Sequence, residues 1–224
     1  MRYEEYIKEQ FRKLDSSGLI ESAALPEMEL YMDQTATVLK RSFEDLDGDI
    51  AARFAARQLI NNYAKRDLIA RPEGKRYSKD HMIMIAMVIY LRGMFKIDEI
   101  RSIMKPLVDN YNSKYDDSIS VQLLYETAEE LSRDSIESVK ANVDDAIGRI
   151  KKKLEDTDLD NDQRMEMFVL ILTLSMRADM EKYLVKRLAE TYFAQPEKEK
   201  KEKKEKKDKP KKSKEAPQEE MSEL

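Results

Sequence analysis

The sequence predicts an all-α protein built from long, solvent-exposed helices. Its 224 residues include only 5 glycines and 6 prolines, and 38% of the residues are charged while 41% are hydrophobic. Apolar residues recur at intervals of three and four along most of the chain, which is the spacing of an amphipathic helix. A sheet-rich fold would need more turn residues and an alternating pattern. An all-α class follows.

The first part of the chain divides into three helical segments. Residues 3–14 predict an amphipathic helix that ends at a glycine-containing turn. A second helix is predicted over 26–43, because Pro26 suits a first helical turn and an acidic cluster follows at 45–49. A third helix is predicted over 52–66.

A basic turn and two further helices come next. Residues 71–77 contain proline and glycine, which favour a turn with short extended arms. Ser78 is a natural N-cap for an apolar helix that reaches Gly93. Asp98 is expected to cap another helix that ends near Pro106, because proline interrupts helical hydrogen bonding.

The second half of the chain predicts long helices. The three/four spacing over 120–154 indicates one long helix or two in succession, since a capping-box pattern at 134–137 could restart a helix. A final helix is predicted over 160–193. From residue 196 the composition changes to lysine and glutamate, which predicts a disordered tail or a frayed, salt-bridged helix.

The composition also indicates the cellular location of the protein. The chain has no cysteine, so disulfides and thiolate metal sites are excluded. Its first residues lack the pattern of a signal peptide. The longest apolar run, 82–91, is shorter than the roughly 18 to 20 residues that span a bilayer. We expect a cytoplasmic protein without a membrane partner.

Charge is distributed unevenly along the sequence. The whole chain carries a formal charge of -4, but residues 50–105 contain 12 lysines and arginines against 5 acids, a local charge of +7 that leaves -11 elsewhere. A basic segment within an acidic protein is the distribution expected of a DNA-binding surface.

The third predicted helix separates polar from apolar residues. At about 100 degrees per residue, its amides and cations share an arc of roughly 140 degrees, opposite the apolar residues. The polar arc consists of Arg57, Gln58, Asn61, Asn62 and Lys65. Arginine can pair with guanine, and asparagine or glutamine with adenine, in the major groove. We predict these five residues as base contacts, although a solvated amphipathic face has the same pattern.

Cations crowd the turn that follows this helix. Arg71, Lys75, Arg76 and Lys79 lie close together in sequence. A wing of this kind can lie along the phosphate backbone and position the helix that contacts the bases. The sequence therefore predicts that a recognition helix and a basic wing bind double-stranded DNA.

Five segments between residues 59 and 104 follow the order of a known module. They are Asn61-Asn62-Tyr63, Leu68-Ile69, Arg71-Pro72, Arg76-Tyr77-Ser78 and Lys96-Ile97-Asp98-Glu99-Ile100. Together they resemble the MerR-type winged-helix regulators, which implies a recognition helix, a wing and a following helix pair. The resemblance also implies that Tyr63, Arg76 and Tyr77 contact phosphates.

The sequence departs from that family in the recognition helix. Asn61 and Asn62 replace its usual arginine and first tyrosine, Ala64 replaces a glutamate and Asp67 replaces a glycine. The base preferences of the family therefore do not carry over.

A second resemblance covers about residues 25–190. It lies in Leu25-Pro26, Leu30-Tyr31-Met32-Asp33-Gln34, Leu59-Ile60-Asn61-Asn62-Tyr63 and Lys75-Arg76-Tyr77-Ser78-Lys79-Asp80-His81. These segments are similar to the bacterial family known as domain of unknown function 1836. The resemblance implies a DNA-binding protein with a helical C-terminal region and brings no established ligand or reaction.

Other candidate sites predict no chemistry. His81, the only histidine, follows Ser78 in a first helical turn and is expected to be a surface or capping residue. Aspartates at alternate positions from Asp156 resemble a calcium loop, but its sixth position is Asn161 and its twelfth is Met167. We expect no enzyme activity, metal or cofactor.

Function and domains follow from these observations. We expect a transcriptional regulator that associates with the nucleoid when bound to DNA and forms a homodimer through helices after residue 120; the alternative is a helical protein-interaction scaffold without DNA function. The sequence leaves open whether the C-terminal half also binds a small-molecule effector. The predicted domains are an N-terminal helix and turn at 1–25, a MerR-like winged helix-turn-helix at 26–108, a helical region at 109–195 and a Lys/Glu-rich disordered tail at 196–224.

Overall fold

The computed structural model describes residues 3–16, 18–44, 56–111, 120–159 and 162–193. Within these ranges the chain is mostly helical, as predicted, with seven α-helices and one two-stranded sheet. The helices are α1 Tyr3–Asp15, α2 Met32–Glu44, α3 Ala56–Lys65, α4 Lys79–Leu91, α5 Ile97–Tyr111, α6 Val121–Leu154 and α7 Gln163–Phe193. None of these helices is long and apolar enough to cross a membrane.

The sheet joins two segments that are far apart in sequence. Strand β1, Leu30–Tyr31, pairs antiparallel with β2, Arg76–Tyr77, and Leu30 lies opposite Tyr77. The prediction of a helix from residue 26 is therefore wrong over its first six residues. Helical spacing alone could not reveal this, because pairing with a distant strand overrides local preference.

Helix α4 is the centre of the fold. Ser78 is its N-cap, as predicted, and its side chain accepts from the backbone N–H of His81 at 3.4 Å. Nine of its 13 residues are buried. A helix that is apolar on all sides belongs inside a protein, and α2, α5 and α6 pack against it.

Helix α5 continues through Pro106, which corrects its predicted end. The proline removes one backbone donor, at a cost of about 3 kcal/mol in a helix interior. The residues beyond it offset this cost, because Val108 is buried and Leu107 and Tyr111 pack against the same core. The predicted cap also changes: Glu99, rather than Asp98, accepts from the N–H of Lys96 at 2.7 Å.

Two hydrophobic cores organise the described residues. The first core contains buried residues from Ile20 to Tyr125 and is contributed by α2, α3, α4, α5 and the start of α6. It extends beyond the predicted divisions at residues 25 and 108. The second core buries Val143, Ile150 and Leu170, where α1 and α7 pack against the end of α6.

One helix connects the two cores. α6 runs without interruption over 34 residues and begins at Ser120, whose side chain accepts from the N–H of Leu123. Of the two possibilities that the sequence left open, the single long helix is observed. The predicted beginning of the third helix at 52 and the tail at 196–224 lie outside the described residues.

Candidate nucleic-acid interface

The first core positions α3 through its apolar side. Ile60 and Tyr63 are buried, and Leu59 and Ala64 are partly buried against the same core. The opposite side presents polar groups to solvent: Asn61, Asn62 and Lys65 are exposed. The predicted division of this helix into packing and polar faces is therefore observed for these residues. The side chains of Arg57 and Gln58 lie outside the described residues.

The end of α3 turns the chain sharply toward the basic segment. The N–H of Leu68 donates to the carbonyl of Tyr63 at 3.0 Å, and the N–H of Asp67 donates to that of Ala64 at 3.3 Å. These two bonds form a Schellman motif, which needs a left-handed residue. Asp67 supplies it with φ of 54°. Asp67 therefore has the left-handed backbone conformation that favours glycine, which is the residue of the MerR-type pattern at this position.

A second tight turn brings cations back toward α3. After the buried Leu68–Ala70 segment, residues 73–75 form a short 3₁₀ turn in which Gly74 and Lys75 both have positive φ, 53° and 64°. Arg71 and Lys75 are exposed on either side of Pro72. The predicted turn is confirmed, but its outgoing arm pairs with β1 rather than with its own incoming arm.

These elements enclose one surface groove of about 740 Å³. Helix α3 contributes Asn61 and Lys65, and the turn contributes Arg71 and Lys75. The remaining lining residues are Tyr31, Met32, Asp33, Ala64, Pro72 and Tyr77. The polar side of α3 and the cations of the turn, which were predicted separately, therefore line the same groove.

Arg76 lies on the sheet at the edge of this groove. Its guanidinium stands 5.4 Å from the centre of the Tyr31 ring. It also lies 4.0 Å from the carboxylate of Glu29. The ring and the carboxylate hold the Arg76 side chain while leaving about half of it exposed.

Two tyrosines predicted to contact phosphates lie in the first core. Tyr63 and Tyr77 are each 2% exposed, and burial raises the pKa of both hydroxyls. The Tyr63 hydroxyl accepts from Arg92 at 3.0 Å, and the Tyr77 ring packs edge-on against that of His81. Their rings stabilise the core, so we leave them out of the contact surface.

Lys79, which was also predicted to contact phosphates, is buried. It is only 8% exposed, and its ammonium forms an ion pair with Glu27. Glu27 lies in the segment before β1, where no pattern in the sequence connects it to Lys79. A buried charge that already has a partner is costly to redirect to a phosphate.

His81 has a structural role beneath the groove. Its Nδ1 accepts from the backbone N–H of Ser78 at 3.2 Å, which completes a reciprocal capping box. It is buried between the rings of Tyr77 and Tyr111. Burial lowers its pKa. Of the two expected roles, surface residue or capping residue, the structure shows the capping role.

Sequence reasoning missed Tyr31 as part of the site. The spacing of three and four predicts Tyr31 on the apolar side of a helix, but it lies in β1 with 55% of its surface exposed. A two-residue strand leaves almost no periodic signal, so only its pairing with Arg76 reveals its position.

Comparison with known proteins supports the family expected from the sequence. Residues 20–128 match the family model described as a domain of unknown function (DUF1836). The matched range begins at Ile20 and ends just after Tyr125, the first and last buried residues of the first core. No curated protein and no solved structure matches the chain.

Proposed function

We propose that this protein is a sequence-specific regulator of transcription that binds double-stranded DNA through a MerR-like winged helix-turn-helix module. The observation that carries the proposal is the groove, in which the exposed polar side of α3 faces the exposed cations of the following turn. Specific recognition of DNA requires side chains that bind the edges of the bases and, beside them, side chains that bind phosphates and position the protein.

In this proposal α3 enters the major groove. Asn61 and Asn62 are exposed amides that can each form paired hydrogen bonds with adenine, worth about 1 to 3 kcal/mol of discrimination for a good contact. Lys65, one turn after Asn61, contacts a base or a phosphate. Arg57 and Gln58 stay predicted base contacts in the first turns of the same helix.

The turn and β2 hold the phosphate backbone in this proposal. Arg71, Lys75 and Arg76 are exposed. Arg71 lies 3.4 Å from Asp67, with 78% and 64% of the two side chains exposed. Exposed pairs of this kind contribute only about 0.2 to 1 kcal/mol, so a phosphate can replace the aspartate.

The first test is capture of genomic DNA fragments by the purified full chain, followed by binding titrations at several salt concentrations. Asn61→Ala should reduce the preference for the captured site over unrelated DNA. Arg71→Ala should instead weaken binding to all sequences and lower the slope of log affinity against log salt by about 1.

Arg149→Ala is the matched control for Arg71→Ala. Arg149 pairs with Asp145 four residues away, and the two side chains are 81% and 67% exposed, almost as for Arg71 and Asp67. It lies on α6, far from α3 in sequence. If the Arg149 variant loses as much affinity as the Arg71 variant, or if no fragment is enriched, the proposal fails.

Asp67→Asn offers a gain of affinity in the same assay. Asparagine tolerates the left-handed conformation that Asp67 adopts, so the turn is kept while one negative charge beside Arg71 is removed. We expect tighter binding to all DNA at low salt, with the difference shrinking as salt screens the charge. Unchanged or weaker binding would show that Arg71 does not contact the DNA backbone.

A second candidate function is a protein-interaction scaffold that has this fold and no DNA function. The acids beside the cations favour it, since Asp67 and Glu29 partly neutralise Arg71 and Arg76 and Asp33 lines the groove. A scaffold would show no enriched DNA fragment and no steep dependence on salt.

A further inference from the structure

The first core contains an apolar pocket of about 400 Å³. The pocket lies between α4, α5 and the beginning of α6, and Phe193 at the end of α7 forms part of its wall. Nine of its eleven lining residues fall within residues 20–128, so it belongs to the region that matches the family model. Sites for small molecules usually measure about 300 to 1,000 Å³ and are lined mainly by apolar and aromatic side chains. The apolar pocket is therefore a candidate binding site.

The apolar pocket offers no free polar group to a ligand. Among its lining side chains only those of Tyr90 and Tyr125 end in a hydroxyl. Both hydroxyls are bonded to the backbone of Ile20: that of Tyr90 accepts from its N–H at 2.7 Å, and that of Tyr125 donates to its carbonyl at 2.9 Å. None of the eleven lining residues is charged. A charged ligand would lose its hydration without gaining a partner, so the occupant is uncharged.

The lining also favours an aromatic molecule. Tyr90, Tyr125 and Phe193 contribute three rings, and Met87 and Met104 contribute two thioethers. Aromatic side chains and thioethers both interact favourably with aromatic rings, and the flexible methionines can adapt to the shape of a ligand.

The size of the apolar pocket favours a small molecule over a protein partner. Its wall measures less than about 500 Å² for this volume, whereas a standard protein interface buries about 800 Å² on each partner. The exposed fraction of its side chains falls from 46% at Leu124 to 3% at Met104 and 1% at Tyr125. The pocket is thus a recess with a mouth near Leu124 and a buried floor, which suits a compact ligand.

Helix α5 connects the apolar pocket to α3. Nε of Arg101 donates to the carbonyl of Arg66, the residue just after α3, at 2.7 Å. Met104, one turn after Arg101, lines the pocket, and so does Pro106. A proline inside a helix removes a hydrogen bond and makes bending easier there. A ligand that packs against these residues would restrict α5 and thereby hold the end of α3.

Helix α4 supplies a second connection. The Arg92 guanidinium donates to the hydroxyl of Tyr63 in α3 at 3.0 Å. Arg92 follows directly after Tyr90 and Leu91, which both line the apolar pocket. Two separate contacts therefore join the walls of the pocket to α3.

We propose that the apolar pocket binds a small, uncharged aromatic molecule, which stabilises α5 and through it the end of α3. The binding site does not depend on the proposed DNA contacts. Its effect on DNA rests on the proposed function: a ligand that orders α3 in advance lowers the entropy that DNA binding has to remove, so it should raise the affinity for DNA.

Fluorescence titration of the full chain tests the site with two related probes. N-phenylnaphthylamine is aromatic and uncharged, and anilinonaphthalenesulfonate has the same rings with one negative charge. Leu124→Trp places an indole ring at the mouth of the apolar pocket. It should weaken binding of the neutral probe by about 10-fold or more, because the ring fills volume that the probe would occupy. It should leave binding of the sulfonate unchanged.

Leu131→Trp is the matched control. Leu131 lies on the same side of α6, two turns after Leu124, with 60% of its surface exposed, and it does not line the apolar pocket. The control should bind the neutral probe as the wild type does. No binding of this probe, equal binding by both variants, or an equal loss of the sulfonate in Leu124→Trp overturns the proposal. Circular dichroism checks that both variants are folded.

Amide hydrogen exchange tests the connection to α3. The backbone N–H groups of Arg66, Asp67 and Leu68 close the end of this helix. Saturation with N-phenylnaphthylamine should slow their exchange several-fold, together with that of α5, and should leave α1 unchanged. The slowing should be absent in Leu124→Trp. Probe binding without slower exchange at the end of α3 overturns the proposed connection.

The DNA titration separates this inference from the proposed function. With a captured DNA fragment, the neutral probe should raise the affinity of the wild type several-fold and leave that of Leu124→Trp unchanged. An unchanged wild-type affinity overturns the effect on DNA. If no fragment is captured, the proposed function fails, whereas the probe titration and hydrogen exchange still decide whether the apolar pocket is a binding site.

Discussion

Helix α6 takes part in two cores that bury very different amounts of apolar surface. At its beginning, Val121 and Tyr125 join a core that encloses α4, where most residues are inaccessible to solvent. Near its end, Ile150 packs in a core with only two other buried residues, while the outer side of α7 stays exposed. The same helix thus belongs to one core that encloses a whole helix and to one that, among the described residues, leaves a side of α7 exposed.

The comparison shows how the site is supported. α3 and the basic turn rest on the first core, which is also the range of the family match. The apolar surface left over belongs to the second core. The proposed DNA contacts and this exposed apolar surface therefore lie in separate parts of the molecule.

The largest expected effect comes from creating equivalent cavities in the two cores. Ile85 is inaccessible in α4, and Ile150 is 9% exposed in α6. Ile85→Ala should lower the free energy of unfolding by about 2 to 5 kcal/mol, as for deep core positions. Ile150→Ala should cost clearly less, because its surroundings are open to solvent. Urea unfolding followed by circular dichroism measures both, and equal losses would contradict the comparison.

A smaller effect is expected from the hydrogen bond that joins α6 to the chain before β1. The hydroxyl of Tyr125 donates to the carbonyl of Ile20 at 2.9 Å within the first core, and burial raises the pKa of Tyr125 strongly. Tyr125→Phe leaves that carbonyl without its donor, which should cost about 1 to 3 kcal/mol of unfolding free energy.

Tyr6→Phe provides the matched control, because Tyr6 lies on α1 with 54% of its surface exposed. Its unfolding free energy should stay within about 0.5 kcal/mol of the wild type. A Tyr125 variant as stable as this control would show that the first core does not depend on the bond.

The smallest effect is a dependence on pH that resides in the first core. Burial lowers the pKa of His81 below its ordinary 6.5. As pH falls through 6.5, the unfolded chain therefore binds a proton that the folded chain resists, and the folded state loses stability. The loss continues until the pH reaches the lowered pKa, at no more than about 1.4 kcal/mol per pH unit.

His81→Gln isolates this contribution. Glutamine can accept from the N–H of Ser78 as His81 does, but it does not titrate, and the chain has no other histidine. We expect the difference in urea midpoint between pH 7.5 and 5.5 to be smaller for the variant than for the wild type. An equal difference would mean that carboxylates alone cause the pH dependence.

Much of the fold could be predicted because its signals are local. The Ser78 cap, the apolar α4 and the three/four spacing of α6 and α7 all depend on neighbours within a few turns. The two faces of α3 follow from the same periodicity, so Asn61 and Lys65 were correctly expected to be exposed. The family expected from short motifs was also supported over residues 20–128.

Contacts between distant segments could not be predicted in this way. Strand β1 depends on the pairing of Leu30 with Tyr77, which lies more than forty residues later in the sequence. The buried position of Lys79 likewise depends on its ion pair with the distant Glu27. Tyr63 and Tyr77 carry the same motif whether they face DNA or the core. Helical spacing places Tyr63 on the apolar side of α3, but Tyr77 lies in a two-residue strand, where spacing carries no information about burial.

The sequence by itself thus determined the helical class, the basic segment and the polar face of α3, since each arises from helix periodicity or local composition. Only the tertiary structure decided which cations and aromatic residues stay on the surface, where the first core ends and which side of α7 is exposed among the described residues. The physical reason is that burial, ion pairing and strand pairing depend on segments that meet in space although they are far apart along the chain, such as Tyr3 and Glu166, which are separated by 163 residues.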